Sequence, residues 1–388
     1  GANTFTNVLG NLSFLSTNSQ ILNISSTASA LNVGGNLIIN VGAGTIRLNS
    51  ANVAFNLNLS GNFALTSGVF TRLAGAAVVT TNFVNPNALQ TITQTAGTCV
   101  GIMNWNVGST VTTNTLQLLS NIDLGGAASP FTVNQNAILD CGTFVISGST
   151  AAFTLSNTAP GATFITANPD GIELTGALGS IQTTGARTYN ANSNYIFDGG
   201  VAQNTGLGFT AANNLTIDNS SNVNLSTNAI ISGTTTFTNG KLILNNSNFS
   251  TTNVAANPFS GQTSSKYIVT NGTGQVLRTI ATAGLPLNYS FPVGDAANYS
   301  PVELNFSVNS IGRDIGVIVT AGAVPFNLPS TDYINRSWTF TNSAAGSYTY
   351  IPTFNYVAGD AVGTPANMKI SRYVGPLWTE YNGTPNTT

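Results

Sequence analysis

From residue 30 onward, apolar residues recur two apart in short runs with a polar residue between them. Examples are Leu31/Val33, Leu37/Ile39, Ile46/Leu48, Phe63/Leu65, Phe131/Val133, Phe144/Ile146, Phe153/Leu155, Val223/Leu225 and Leu242/Leu244. A period of two places both apolar side chains of a pair on one face of a strand. Between the pairs stand "GG", "SG", "NG" and "NN", which turn the chain. No stretch spaces apolar residues three and four apart over a dozen positions, so no amphipathic helix is expected.

Runs this short cannot bury an apolar face alone, and stacking like turns on one another solves the problem. The segments "GNFALTSGVF" (from 61), "GTFVISGSTA" (from 142) and "GTTTFTNGKL" (from 233) share a loose design at offsets of 81 and 91 residues. This reads as a degenerate repeat with loops of variable length. The pattern predicts an all-β chain whose residues 1–261 form a right-handed parallel β-solenoid, or β-helix. At roughly 20 residues per coil that gives about 13 coils in a rod about 60 Å long. An ordinary sandwich, or a pair of them, is the structural rival. Parallel stacking would let Asn and Thr form ladders between turns. In "TTTFTNGKLIL" the expectation is Phe237, Leu242 and Leu244 inward, with Thr, Asn and Lys241 outward.

The texture changes after "NPFSGQTSS" (257–265). Nine of the 11 tyrosines and nine of the 14 prolines lie beyond it. "KYIVTNGTGQVLRTI", "PVELNFSVN", "DIGVIVTAG", "RSWTFTN", "YTYIPTFNYV" and "MKISRYV" read as longer strands between Pro- and Gly-containing turns. About seven strands in about 120 residues suit an antiparallel, Ig-like β-sandwich over residues 262–388. Trp338 and Phe340 are its core candidates, and Trp378 would close one end.

Composition narrows the function more than it narrows the fold. Only 6% of the 388 residues are charged, against about 25% in an ordinary globular protein. The net charge is −2, so phosphate-backbone binding has no electrostatic footing and nucleic acid is not expected as a partner. Histidine is absent, which removes the commonest general base together with the commonest zinc ligand. No apolar run approaches the roughly 20 residues of a membrane helix, so no membrane insertion is expected. "GANTFTNVLG" lacks the basic and apolar regions of a signal peptide, which leaves a cytosolic, an already processed or a fragmentary chain. Solubility resting on Asn, Thr, Ser and Gly rather than on Lys and Glu favours an extracellular repeat protein.

"YIVTNGTGQVLRTI", "FPVGDAANYSPVELNF", "RSWTFTN" and "MKISRYVGPLWTEYNG" resemble segments of very large surface proteins of Bacteroidota, which are typically exported by the type IX secretion system. The resemblance covers about residues 262–388, and the Asn/Thr-rich region before it matches in style only. It implies a cell-surface location and an adhesive or fibre-forming role, and it brings no catalytic motif. No type IX sorting domain is visible before the closing "NGTPNTT", so a portion of a longer polypeptide is expected.

Candidate chemistry is sparse. Asp123, Asp140, Asp170, Glu173, Asp198 and Asp218 are scattered through the solenoid region, and a polysaccharide lyase or hydrolase of the tailspike kind would need two of them to converge in a groove. "NPDG" and "FDGG" are strong turn sequences, which gives the acids there a simpler use. No catalytic residue is assigned, and the chain is not expected to be an enzyme. Calcium is the one cofactor with candidate ligands: Asp170 and Glu173 in "NPDGIE", Asp295 in "GDAANYS" and Asp360 in "AGDAVG". No loop offers more than two carboxylates, whereas calcium takes six to eight oxygens, so ordinary turns are the default. "GLGF" (206–209) is followed by neither Lys nor helix and reads as a coil corner. Trp105 and the group Tyr373, Trp378 and Tyr381 are candidates to stack on a sugar ring, with core packing as the competing use. Cys99 and Cys141 read as two buried small hydrophobes, although a bridge between neighbouring turns stays open. The expected role is thus a structural or adhesive module. It would associate with itself in a fibre or contact polysaccharide; a polysaccharide-degrading enzyme or a carbohydrate-binding module is the alternative.

Overall fold

The structure is a computed structural model that describes residues 6–24, 30–48, 54–73, 75, 77–108, 113–322, 324, 331–375 and 377–381. The closing "NGTPNTT" lies outside the described residues. The chain is all-β, 51% strand and 2% helical, and contains a parallel β-solenoid of about 11 turns. By contacts it divides into two compact units, Gly1–Thr227 and Asn228–Thr388.

In the first unit most turns contribute strands to three faces. One face stacks Asn7–Val8, Ala30–Val33, Phe55–Leu59, Val79–Phe83, Met103–Val107, Phe131–Val133, Phe153–Leu155 and Arg187–Thr188, all in parallel. A second runs from Leu12–Leu15 through Leu37–Leu48 and Phe63–Arg72 to Leu215–Asp218. Short strands such as Ile122–Asp123, Ile146–Gly148 and Ile181–Thr183 make part of the third. Because a turn needs three strands and their corners, successive partners on the first face stand 24 to 26 residues apart at its start. That spacing exceeds the expected 20 at the start of the coil, whereas some later turns match it: Tyr195 pairs with Leu215 and Gln203 with Val223, each 20 residues on.

The alternating pairs point inward as the pattern predicts. All of those named above are buried except Phe144, which is half-buried. Stacking places like residues over like, so Phe131 lies on Phe153 with ring centroids 6.2 Å apart. Each fully buried Leu, Val or Phe adds on the order of 1.5–3 kcal/mol. At one corner Gly10, Gly35 and Gly61 stack so closely that a Cβ on Gly61 would sit 2.3 Å from the Gly35 carbonyl. Only glycine permits that approach.

The second unit begins with the same parallel stacking. Ala229–Ile231, Phe249–Thr251 and Val276–Ile280 form one ladder, and Leu242–Ile243, Ile268–Val269 and Val293–Gly294 another. Phe237, Leu242 and Leu244 are buried as expected, but so is Thr235. The texture change at 261 therefore falls inside this unit, among parallel strands.

Pairing changes sense at Val276–Ile280. This strand is parallel to Phe249–Thr251 on one side and antiparallel to Arg313–Ala321 on the other. Arg313–Ala321 pairs in turn with Arg336–Asn342. A second antiparallel sheet holds Leu287–Phe291, Val302–Asn309 and Tyr348–Phe354. An antiparallel partner occupies a sheet edge that would otherwise expose a row of unpaired backbone groups.

Candidate functional site

The first face of the first unit carries a row of asparagines, one of the ladders that parallel stacking predicts, at positions that sequence reading did not single out. Asn32 donates from Nδ2 to Asn7 Oδ1 at 2.8 Å, and Asn58 to Asn32 at 2.8 Å. Asn82 donates to Asn58 at 2.9 Å, and Asn106 to Asn82 at 2.9 Å. Thr132, Thr154 and Thr188 continue the row by register. These side chains alternate with the buried ones and so lie on the outside of the coil. A second ladder runs at the glycine corner. There the backbone N–H of Asn36 donates to Asn11 Oδ1, that of Asn62 to Asn36 Oδ1 and that of Thr91 to Asn62 Oδ1, each at 2.8 Å. The signal was present in the sequence as Gly10-Asn11-Leu12, Gly35-Asn36-Leu37 and Gly61-Asn62-Phe63.

Asn32, Asn58 and Asn82 each use one N–H and one oxygen lone pair along the ladder, which fixes their orientation. The amide has a second N–H and a second lone pair to offer outward. Before Arg47 the sequence holds no ionisable side chain, and no carboxylate occurs before Asp123. The array therefore presents hydrogen-bonding groups with almost no local charge.

Three of the four calcium candidates, Asp295, Asp360 and Glu173, accept hydrogen bonds from other residues. Asp295 and Asp360 do converge, but on Arg336: Nη1 meets Asp295 Oδ2 at 2.5 Å and Nε meets Asp360 Oδ2 at 2.6 Å. The Arg336 side chain is fully buried. Burial alone would raise the Asp295 carboxyl, but hydrogen bonds from Arg336, Asn298 and Ala297 outweigh it and hold the group below its ordinary range. In "NPDGIE" the turn is made by Asn168, whose Oδ1 accepts the Asp170 N–H at 3.0 Å. Glu173 Oε1 accepts the Leu207 N–H at 3.3 Å. Among the described residues no group of three or more His, Cys, Asp or Glu is placed to hold a metal ion.

Trp105 is fully buried, 5.5 Å from Phe63 and 6.5 Å from Phe83 by ring centroid. It is core, and the sugar-platform reading of this residue is corrected. Tyr373 and Trp378 face each other across a hairpin of Ile370–Val374 and Leu377–Tyr381, with centroids 5.0 Å apart. Tyr381 opposes Ile370, three positions from that pair, and alternation puts it on the opposite face. The three aromatics do not form one platform.

Comparison with protein-family models, with curated proteins and with solved structures gave no match. The chain's own residues carry the rest of the argument.

Three of the scattered acids do approach one another. One position past the registered pair Phe197–Ile217 stand Asp198 and Asp218, and Asp140 lies on the same face two strands away. Burial, then the Asp140 charge and, more weakly, that of Asp218, push the Asp198 carboxyl up to about 6, although a backbone hydrogen bond opposes them. Asp198 Oδ1 is cut off from solvent without a hydrogen-bond partner. Asp140 is committed to the coil, with Oδ2 accepting from Gln117 Nε2 at 2.7 Å and Oδ1 from the Gly142 N–H at 2.9 Å. Cys99 and Cys141 are both free and buried.

Proposed function

We propose that the chain is a structural and adhesive module of a secreted bacterial cell-surface protein or surface fibre, attaching to glycans, to surfaces or to neighbouring subunits. The observation that carries this reading is the outer asparagine ladder on a parallel β-solenoid. It spends amide groups on rigidity and on an uncharged surface. Backbone and side-chain ladders both run from turn to turn, so load along the coil is shared among many parallel hydrogen bonds. Export by a type IX route rests on the resemblance of residues 262–388.

Two finer features of the fold belong to this proposal. The coil is taken as right-handed, in line with the strong preference of parallel crossovers for that hand. The two antiparallel sheets of the second unit are taken as an Ig-like sandwich. Trp338 and Phe354, from different sheets, support this with centroids 4.8 Å apart.

The test is direct. Purified protein is imaged by electron microscopy and assayed for binding to cells, to insoluble polysaccharide and to itself. Rods or fibres together with retention on at least one surface are expected. Compact particles that bind nothing would end the proposal.

A second reading, a polysaccharide-cleaving enzyme, is favoured by Asp198, since a carboxyl raised by burial and standing near other acidic side chains is the pattern of a general acid. Against it, one Asp198 oxygen is sealed and Asp140 serves the coil wall. Release of reducing ends from a polysaccharide panel, abolished in Asp198→Asn, would reverse the order of the two readings.

A further inference from the structure

We propose that the groove beside the start of the asparagine ladder binds a neutral glycan; this rests on the adhesive reading above and names its site. The groove has a volume of about 400 Å³ and is lined by Asn7, Asn32 and Asn58 on one side, with Leu9, Ser60 and Val84 among its other residues. Its volume falls within the range of about 300–1,000 Å³ typical of small-ligand sites.

The lining selects the occupant. No ionisable residue contributes to it, so an anionic polymer finds no counter-charge and a cationic one no carboxylate. Three amides, locked to each other at 2.8 Å, offer donors and acceptors at a strand spacing of about 4.8 Å. Leu9 is 96% exposed, an apolar side chain that the fold leaves in water. A sugar ring carries hydroxyls around its edge and C–H groups on its faces. Leu9 and Val84 stand three strands apart in the row, about 14 Å, so an oligosaccharide running along the coil can lay one ring on Leu9 and a later one against Val84 while its hydroxyls hydrogen-bond the amides. A purely apolar ligand would leave the amides unpaired, and a fully polar one would gain nothing from Leu9. Because the amides are already oriented, binding costs little side-chain ordering.

The test uses the full chain. Retention on insoluble cellulose and chitin is measured, and titrations follow with cellohexaose and chitohexaose. Wild-type protein is expected to bind at least one of these neutral probes and to ignore polygalacturonate. Leu9→Ala, at a position too exposed to affect folding, is expected to weaken binding about fivefold. Asn32→Ala, with its thermal unfolding checked, is expected to weaken it at least tenfold. Leu119→Ala, at another exposed leucine, is the control and should change nothing. Failure to bind any neutral probe overturns the proposal. Binding that survives Leu9→Ala and Asn32→Ala but disappears in Trp378→Ala also overturns it, while leaving the adhesive reading in place. Absence of both glycan binding and self-association removes the two together.

Discussion

Asn219 donates from Nδ2 to Gln203 Oε1 at 3.3 Å inside the coil, where both side chains are shut off from solvent. Gln203 Nε2 donates to the carbonyls of Thr166 at 2.8 Å and Asn168 at 3.0 Å, and its Oε1 also accepts the Gly199 N–H at 3.2 Å. The same device occurs nearer the start of the chain. Gln90 Nε2 donates to Leu59 and Gly61 carbonyls, and Asn114 Nδ2 reaches Gln90 Oε1 at 3.3 Å. A buried Gln followed by a buried Asn one turn later thus ties a corner together, and Gln203 gives the Gly199 N–H its acceptor.

Replacing Gln203 by Leu keeps volume but strands the Gly199 N–H. The Thr166 and Asn168 carbonyls fare better, because each also accepts a backbone N–H, from Asp198 and Gly171 respectively. The expected loss is about 2 kcal/mol, read from denaturant unfolding. Gln203→Glu, which sets a carboxylate against two carbonyls, should cost more, about 3 kcal/mol or above. If Gln203→Leu is neutral, the pair does not support the corner.

Asp198 makes stability depend on pH in an unusual sense. Its carboxyl is raised to about 6 from an ordinary 3.8, chiefly by burial, so between those values the folded chain holds a proton that the unfolded chain has lost. Stability from this group therefore increases as pH falls from about 7 toward 4. A shift of this size is formally about 3 kcal/mol, but partial solvent contact screens it to about 1 kcal/mol. Asp198→Asn should raise the Tm at pH 7 by about 2 °C and flatten the rise on acidification. The check is a set of thermal melts across that window for both proteins. A lower Tm at pH 7 would show that the charged form is wanted in the fold.

How much of this could be read from the residues depends on what each signal reports. Inward pairs such as Phe131/Val133 were legible because a period of two leaves no other way to bury both. The length of the turn was legible only in part: 20 residues holds from Tyr195 to Leu215, but strand pairs do not show the longer corners that stretch the first turns to 24 to 26. The Gly-Asn tripeptides at 10, 35 and 61 carry that period, and a search for apolar similarity passes over them. Trp105 illustrates a different limit. Its outward polar neighbours Asn104 and Asn106 fit a strand, yet only the register with Thr81 and Phe131 places the indole among Phe63, Phe70 and Phe83. Asp295 and Asp360 were legible as acids of two separate loops, each a calcium candidate by itself; their joint role on one guanidinium was not. Their partner, Arg336, is distant in sequence and carries no local mark.

Arg336 offers a test of that role. Asp360→Asn keeps Asp295 as the countercharge and loses only the charge-assisted bonds to Nε and Nη2, so it should destabilise by about 2 kcal/mol. Asp295→Asn with Asp360→Asn leaves the buried guanidinium uncompensated and should cost about 3–5 kcal/mol. Adding Arg336→Met to that double variant should recover part of the loss, since the orphaned charge goes with it. Because Asp295 is held below its ordinary range, its contribution is present above the unfolded pKa and fades as pH falls through the folded one, on the acid side of about pH 4. Calcium should leave the Tm unchanged, because both carboxylates already face Arg336. A calcium-dependent rise in Tm that Asp360→Asn abolishes would restore the metal reading.

The two cysteines give the last expectation. Burial, followed by the Asp123 charge, pushes the Cys99 thiol up to about 12, and burial with Asp140 and Asp198 raises Cys141 well above its usual range. A thiol reacts as its thiolate, and neither group forms one at neutral pH in the fold. An aromatic disulfide reagent such as DTNB should therefore label neither residue in native protein and both in denaturant. Cys99 sits on Thr98–Val100, which among the described residues pairs only with Phe63–Arg72, whereas Cys141 follows Ile138–Asp140 between two parallel neighbours. As denaturant rises, Cys99 should be labelled before Cys141, because local opening starts where a strand has fewer partners. Mass spectrometry of single-cysteine variants reads the order. Equal labelling at every concentration would mean that the coil opens as one unit, and Cys141 reacting first would place its weakest point on the other strand.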